Sequence, residues 1–443
     1  MTDSHTTESA LVPFSHQDAA VWTLRVVYSP DRALAGRVLR LGALPMALGR
    51  EPPRGGVRVD DGRVSRHHVT VTPQGGGTLG IADQGSKNGT FVRACRVSTT
   101  TARDGDVIRL GDTLMVARAG DRVDDGDALG LVGASPAMLA VRETVRTVAP
   151  SRLPVLITGP TGTGKELVAR ALHTLSGRRG AFVPVNCAAL PDTLVEDMLF
   201  GHKRGAFTHA VGEEPGAFVR ADKGTLFLDE IGEMTLAAQP KLLRTLETGE
   251  VFALGSSAPQ RVDVRVVTAT NRGLSDEIEA RRFREDLYAR LAGVVIDTPS
   301  LADRREDVLP LFKAFLPEPL RARPMPADVA EALLVAEWPR NVRELRQLAE
   351  RLAVVAAQAP RWELAHLDEP MRRAVLERAA EPVSPSEEDD SGVEPGAPPV
   401  EALVKLLEEC GGNVSDVAAK VGRTRRQVYR WMDQRGVPRG TGR

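Results

Sequence analysis

"LITGPTGTGKE", residues 156–166, decides the fold at the centre of this chain. An apolar strand runs into glycines and then Lys165, as in a P-loop, but Glu166 stands where a magnesium-binding Ser or Thr is expected. Gly159, Gly162 and Gly164, with Pro160, Thr161 and Thr163 between them, let backbone N–H groups close around phosphates. The helix starting near Lys165 offers its positive end to the same anion, and the Lys165 ammonium would neutralise charge on the β and γ phosphates. Further on, "GTLFLDE" (224–230) is a hydrophobic strand ending in two carboxylates. Asp229 can hold magnesium directly or through water, and Glu230 can polarise an attacking water. The two signals in this order are specific where either alone is weak.

Working outward, "PVLIT" (154–158), "AFVPVN" (181–186), "TLFLDE" (225–230) and "VRVVTATN" (264–271) alternate with helical stretches, the pattern of a parallel sheet with crossover helices. An α/β nucleotide-binding core is therefore expected over 132–300. Residues 301–376 carry helical runs without strands and read as a helical lid. Upstream, 21–119 holds short β-type runs such as "WTLRVVY" and "DVIRLGDTLMVA", punctuated by Gly, Asp and Pro, and reads as an all-β sandwich. Residues 1–20 read as a flexible leader, 120–131 as a linker, and 377–398 as an acidic, Pro- and Ser-rich linker too poor in apolar residues to pack. The segment 399–443 regains helical periodicity and turns basic. The fold class expected is multidomain: a β-sandwich, an α/β P-loop core with a helical lid, and an all-α terminal module.

The chain has 443 residues, more than one ordinary core holds, and its 58 Lys and Arg nearly cancel 59 Asp and Glu. That balance argues against a wholly basic coat for nucleic acid and leaves local patches open. Cys95, Cys187 and Cys410 lie far apart without CxxC pairs, which suggests neither a zinc site nor a disulfide framework. No apolar run approaches a membrane span, and a cytoplasmic location without membrane attachment is expected.

Several motifs in succession resemble the AAA+ domain of sigma-54-dependent bacterial transcription activators: "GPTGTGKE", "FVPVNCAAL", "LFGHKRGAFTHA", "GTLFLDEIGEM", "FREDLYARL" and "WPRNVRELRQ". In that family Glu typically follows the P-loop lysine, so Glu166 is a family trait and magnesium depends more on Asp229 and waters. The resemblance implies roles by position. Asn186 is similar to a switch residue that can hydrogen-bond Glu230, and Asn271 to a first sensor near the γ-phosphate. Arg284 and Arg290 resemble arginine fingers reaching the ATP of a neighbouring subunit, which implies a ring, expected to be a hexamer. Arg343 resembles a second sensor on the lid. "GAFTHA" (Gly205, Ala206, Phe207, Thr208, His209, Ala210) looks like the GAFTGA loop that contacts sigma-54, with His209 replacing a glycine and removing access to positive φ. Arg340 likewise replaces a usual glycine.

"LGRE", "VSRHH" and "SKNGTFV" resemble a forkhead-associated (FHA) domain, a sandwich that binds phosphothreonine peptides. Arg50 can pair with a dianionic phosphate, Ser65 can donate a hydroxyl hydrogen bond, Arg66 adds charge and Asn88 can clamp peptide backbone. His68 reads as a packed loop support. The implied partner is a phosphothreonine protein of a Ser/Thr kinase pathway. The segment 400–437 resembles a Fis-type helix-turn-helix, in which Thr424 can cap the recognition helix, Arg425, Arg426 and Gln427 would face base edges and Arg430 would meet phosphate. Together these imply an ATP- and Mg2+-dependent activator that binds upstream DNA and remodels the sigma-54 RNA polymerase holoenzyme. Two other readings stand beside it: an AAA+ remodeller of a different protein, favoured by His209, and a non-enzymatic phosphopeptide-dependent DNA-binding regulator.

Overall fold

The strand Thr113–Ala119, sequence TLMVARA, is buried along all but its last residue, although it belongs to a sandwich in which one face of each strand would ordinarily meet water. Met115 and Ala117 point into the sandwich core, while Leu114 and Val116 join a second core built from the lid. This double burial organises the larger part of the molecule. The computed structural model describes residues 21–74, 76–120, 129–188, 192–205, 212–380 and 400–410, with 417, 418, 420, 428, 431 and 432. They divide into two compact units, split between Val383 and Ser384.

In the first unit, the sandwich pairs a sheet ordered Val38–Leu41, Trp22–Tyr28, Thr113–Ala119, Val107–Leu110, Thr90–Val92, Cys95–Val97 with one ordered Val57–Arg58, Met46–Gly49, Val69–Gln74, Thr78–Asp83, Thr99–Ala102. Alternating side chains from both sheets, among them Trp22, Leu24, Leu48, Val71, Ile81 and Ile108, fill the core between them. The α/β core is a parallel sheet ordered Phe182–Asn186, Thr225–Asp229, Arg265–Thr270, Val155–Thr158, Val294–Asp297. Its central strands are buried on both faces, as continuous apolar runs such as TLFL require. The first of these five strands in chain order, Val155–Thr158, lies inside the sheet, so the order reverses beside it and opens a crevice at the carboxyl ends.

The lid follows as a turn, Ala302–Asp307, and helices Val308–Phe315, Ala327–Val335, Asn341–Val355 and Glu369–Ala380. Its core of Leu309, Phe312, Leu333, Trp338, Leu345 and Trp362 is continuous with Ala94, Val107, Leu114 and Val116 of the sandwich. Each such buried Val or Leu contributes about 1.5–3 kcal/mol.

In the second unit, the helix Val400–Glu409 is amphipathic, and Leu403 packs with Val417, Val428, Trp431 and Met432. Trp431 thus serves the small core. Thr424, Arg425, Arg426, Gln427 and Arg430 lie outside the described residues. No helix among the described residues is long and apolar enough to cross a membrane. Cys95, Cys187 and Cys410 are free thiols.

Candidate nucleotide cleft and phosphopeptide face

The strand Val155–Thr158 delivers the chain to Gly159, Gly162 and Gly164, all at positive φ (134°, 81° and 105°). Two of them are required by space as well. A Cβ on Gly159 would lie 2.2 Å from Thr298 Oγ1, and one on Gly162 would lie 2.3 Å from the Arg340 carbonyl oxygen. Thr163 Oγ1 lies 2.9 Å from the Pro160 carbonyl, which accepts its proton, and 2.8 Å from Thr298 Oγ1. Lys165 begins the helix Lys165–Leu175 and is only 7% exposed, with Nζ donating to the Gly159 carbonyl at 2.9 Å. Burial pulls its pKa down while Glu230 and Asp229 push it back up, so lysine and carboxylates share one electrostatic site. Glu166 turns outward to Arg170 in an exposed pair.

Asp229 ends the strand Thr225–Asp229, where burial holds its carboxyl above the ordinary range against the pull of Lys165. Glu230, the next residue, takes left-handed φ/ψ of 51° and 50°, a strained conformation for a non-glycine that redirects its carboxylate. Asn271 bridges the parts: its backbone N–H donates to Glu230 Oε2 at 3.3 Å and its Nδ2 to Thr161 Oγ1 at 2.8 Å. Lys165, Asp229, Glu230 and Arg343 line one cleft of about 350 Å³.

The other predicted residues lie elsewhere. Asn186 sits opposite Asp229 across the paired strands, but its Oδ1 accepts from the Ala188 N–H at 2.9 Å and makes no bond to Glu230. Arg284 is exposed and pairs with Asp286, and Arg290 donates to the Leu246 carbonyl at 3.1 Å. Arg290 lines a separate pocket with Arg152 and Pro154, so neither arginine reaches the cleft of its own chain. Gly205, at φ 83°, closes the described root of the sigma-54-type loop, where Gly201–His202 pairs with Glu214–Pro215 and Lys203 pairs with Glu213. Ala206, Phe207, Thr208, His209 and Ala210 lie outside the described residues.

Three residues of the cleft escaped the sequence reading. Asn341 Nδ2 donates to the Thr161 carbonyl at 3.0 Å, Arg304 donates to the Thr163 carbonyl at 2.9 Å, and Thr298 packs on Gly159. Arg304 sits in "DRRED", which looks like a solvated charge run, and only the lid's return onto the P-loop buries it. Asn341 carried a weak signal, an Asn at a helix start, and it adopts φ 53°.

On the sandwich, Arg50, Arg66 and Asn88 are exposed along one edge with half-buried Ser65. Ser65 Oγ accepts from the Lys87 N–H at 3.0 Å, and Asn88 Nδ2 donates to the Arg63 carbonyl at 2.6 Å. His68 is fully buried beneath them. Its Nδ1 accepts from the Ser65 N–H at 3.0 Å, which leaves Nε2 to donate to the Gly89 carbonyl at 3.2 Å. Burial lowers its pKa. Gly49 allows the loops to meet, because a Cβ there would stand 2.0 Å from the Arg66 carbonyl oxygen.

Residues 131–297 match the Sigma-54 interaction domain, 302–382 the AAA+ ATPase lid domain and 46–111 the FHA domain. The transcriptional regulatory protein ZraR of Klebsiella oxytoca is 42% identical over 306 residues, 68% of this chain and 67% of its own length. The chain belongs to the sigma-54-dependent transcriptional regulators. Nitric oxide reductase transcription regulator NorR2 of Cupriavidus necator is 46% identical over 269 residues, 58% of this chain and 51% of that protein, so the chain spans about half of that relative. Among solved structures, NtrX from Brucella abortus in complex with ATP is 33% identical, covers 69% of each chain and superposes with a TM-score of 0.50. Within this family the sequence expectations of an FHA sandwich, an α/β core with parallel sheet and a helical lid are met.

Proposed function

We propose that this sigma-54-dependent regulator is an ATPase that works as a ring, expected to be a hexamer, to remodel the closed complex of the sigma-54 RNA polymerase holoenzyme in the cytoplasm. The observation that carries the reading is the convergence of Lys165, Asp229, Glu230, Asn271 and Arg343 around one glycine cradle. Lys165 and the backbone of 159–164 bind the phosphates, and Glu230 accepts a proton from the water that attacks the γ-phosphorus while the bond to the β–γ bridging oxygen breaks and ADP leaves.

The cleft fits magnesium. The Asp229 and Glu230 carboxylates line the same cleft as the glycine loop, and Mg2+ characteristically binds one or two carboxylates together with substrate phosphates and water. Asp229 would hold it, and the ion would supply neutralisation of phosphate charge. Asn271 senses the γ-phosphate, Arg343 couples the lid, and the Asn186 side-chain amide donates to the Glu230 carboxylate in another nucleotide state. Arg284 and Arg290 serve a neighbouring subunit's ATP, consistent with their exposure away from their own cleft. Gly205 to Ala210, with Phe207 and Thr208 foremost, engage sigma-54. Thr424, Arg425, Arg426, Gln427 and Arg430 read upstream DNA, and Arg50, Ser65, Arg66 and Asn88 bind a phosphothreonine protein.

The test traps the full chain with an ATP transition-state analogue and measures co-migration with sigma-54. Capture that is lost in Phe207→Ala and kept in His209→Gly supports the reading. His209 favours remodelling of a different target, and absence of capture by both wild type and His209→Gly would make that the better account. For action in trans, Arg284→Ala mixed with Glu230→Gln should recover part of the ATPase that each lacks alone, and no recovery would remove the claim.

A further inference from the structure

The sandwich and the ATPase lid are joined by more than the shared apolar core. Arg118, on the doubly buried strand Thr113–Ala119, donates through Nε to Glu306 Oε1 at 2.8 Å and through a second nitrogen to Glu306 Oε2, where the carboxylate is only 1% exposed. The same guanidinium holds Asp104 at 2.9 Å and the Asp303 carbonyl at 2.8 Å. Glu306 belongs to the short turn Ala302–Asp307, and its neighbours reach the ATPase core. Arg304 donates to the P-loop carbonyl of Thr163, and Asp307 accepts from the Ala134 and Ser135 N–H groups at the start of the core's first helix. One turn therefore grips the sandwich with one side chain and the nucleotide loop with another.

A second path starts at the phosphopeptide face. Asn88 donates to the Arg63 carbonyl, and the Arg63 N–H donates to Asp61 Oδ1 at 2.8 Å. Asp61 Oδ2 accepts from the Asp112 N–H at 2.7 Å and from Thr113 Oγ1 at 3.1 Å, while the Arg63 guanidinium pairs with Asp112 at 3.1 Å. The hairpin tip at Gly111, φ 58°, is pressed so close that a Cβ would meet Arg63 at 2.9 Å. Arg109 then donates through Nε to the Gly111 carbonyl at 2.8 Å and through another nitrogen to Glu331 Oε2 at 2.7 Å, on the lid helix Ala327–Val335. Near the end of that helix the Leu334 carbonyl accepts from Arg305 at 2.6 Å, next to Arg304. Glu331 is 2% exposed and its Oε1 has no hydrogen-bond partner, so the Arg109–Glu331 contact is an ion pair of a half-buried arginine with a buried, half-satisfied carboxylate. Such a pair adds little stability when whole and costs much when one member is lost, which suits a contact that is made in one arrangement and released in another.

We propose that the Arg109–Glu331 and Arg118–Glu306 contacts couple the phosphopeptide face of the sandwich to the nucleotide cleft through the lid, so that occupancy of either site changes affinity at the other. The inference rests on the phosphothreonine reading of Arg50, Ser65 and Asn88 and says how that binding reaches the ATPase. Reciprocity is thermodynamically required: whatever factor the peptide applies to nucleotide affinity, nucleotide applies to peptide affinity.

The experiment uses the full chain, its Arg109→Gln and Glu331→Gln variants, and the double variant, in which no buried charge is left without a partner. Hydrogen exchange is followed at residues 59–65 and 109–113 with and without a slowly hydrolysed ATP analogue and magnesium. In parallel, the affinity of a phosphothreonine peptide selected from a degenerate library is measured in both nucleotide conditions. In the wild type, nucleotide should change protection at those residues and shift peptide affinity by about fivefold or more, the lower end of typical coupling. The double variant should bind nucleotide and peptide but lose the shift. Unchanged exchange and unchanged affinity with nucleotide bound, or a full response retained by the double variant, would overturn the coupling. Failure of every phosphopeptide to bind, with the nucleotide-dependent exchange intact, would overturn the phosphothreonine reading and the regulatory use of the wiring.

Discussion

The two sites proposed to bind phosphate are built in opposite ways. In the nucleotide cleft the proposed recognition groups are backbone N–H groups and a nearly buried lysine, and glycines at positive φ are held between Thr298 and the Arg340 carbonyl. On the sandwich the proposed recognition groups are exposed side chains, Arg50, Arg66 and Asn88, with a buried scaffold of His68 and Gly49 underneath. The loop of the first site is braced from the lid, whose Asn341 and Arg304 donate to the Thr161 and Thr163 carbonyls. The second is completed within the sandwich. The backbone cradle is braced by distant residues, whereas the side-chain face rests on loops of its own domain.

The largest expected effect tests the cradle. Lys165→Ala should abolish nucleotide binding, while Glu230→Gln should retain binding and lose about 10²–10⁴-fold in turnover, the range for a general base. Fluorescent-nucleotide titration beside single-turnover hydrolysis reads both, and normal hydrolysis in either variant would dissolve the assigned chemistry. Next is the junction between the two regions. Arg118→Ala strands the buried Glu306 carboxylate and should cost about 3–5 kcal/mol in chemical unfolding of the first unit. A cost under about 1 kcal/mol would mean that the sandwich and lid do not depend on each other.

The contrast is sharpened by Gly49→Ala, which forces a Cβ against the Arg66 carbonyl. Phosphopeptide binding should fall while nucleotide binding holds, read by calorimetry with each ligand, and unaltered peptide affinity would leave Gly49 without the spacing role given to it. The smallest effect concerns pH. His68 is held below its ordinary value of 6.5 by burial, so the folded sandwich prefers the neutral ring. Below that pH the unfolded chain binds the proton more readily, and stability falls as pH drops from 6.5 toward the lower folded value. Exchange of the Ser65 amide, which donates to the neutral Nδ1, should speed up over that window relative to the amides of the parallel sheet, beyond the intrinsic pH dependence. Parallel behaviour of both would assign the change to the whole unit.

Much was legible from sequence because the responsible signals are local. Glycines at fixed offsets before a lysine, an apolar run ending in Asp229 and Glu230, and "VSRHH" above a β pattern each encode their geometry over a few residues. Asn271 was placed near the cleft by family resemblance, and its bonds to Thr161 and Glu230 set it there. Asn186 and the arginines Arg284 and Arg290 were assigned to states or subunits that a single chain does not display.

The sequence by itself determined the sandwich, the parallel sheet and the cradle, since alternation, apolar runs and glycine spacing act on neighbouring residues. Only the tertiary structure decided that Leu114 and Val116 leave the sandwich to enter the lid core, and that half-buried Arg109 and buried Arg118, Arg304 and Glu306 are partners and not a solvated charged surface. In a strand the face turned away from its own core looks the same in sequence whether it meets water or another domain. An arginine's worth depends on which distant carboxylate or carbonyl excludes water from it, and that is decided where the lid packs against the sandwich and the P-loop.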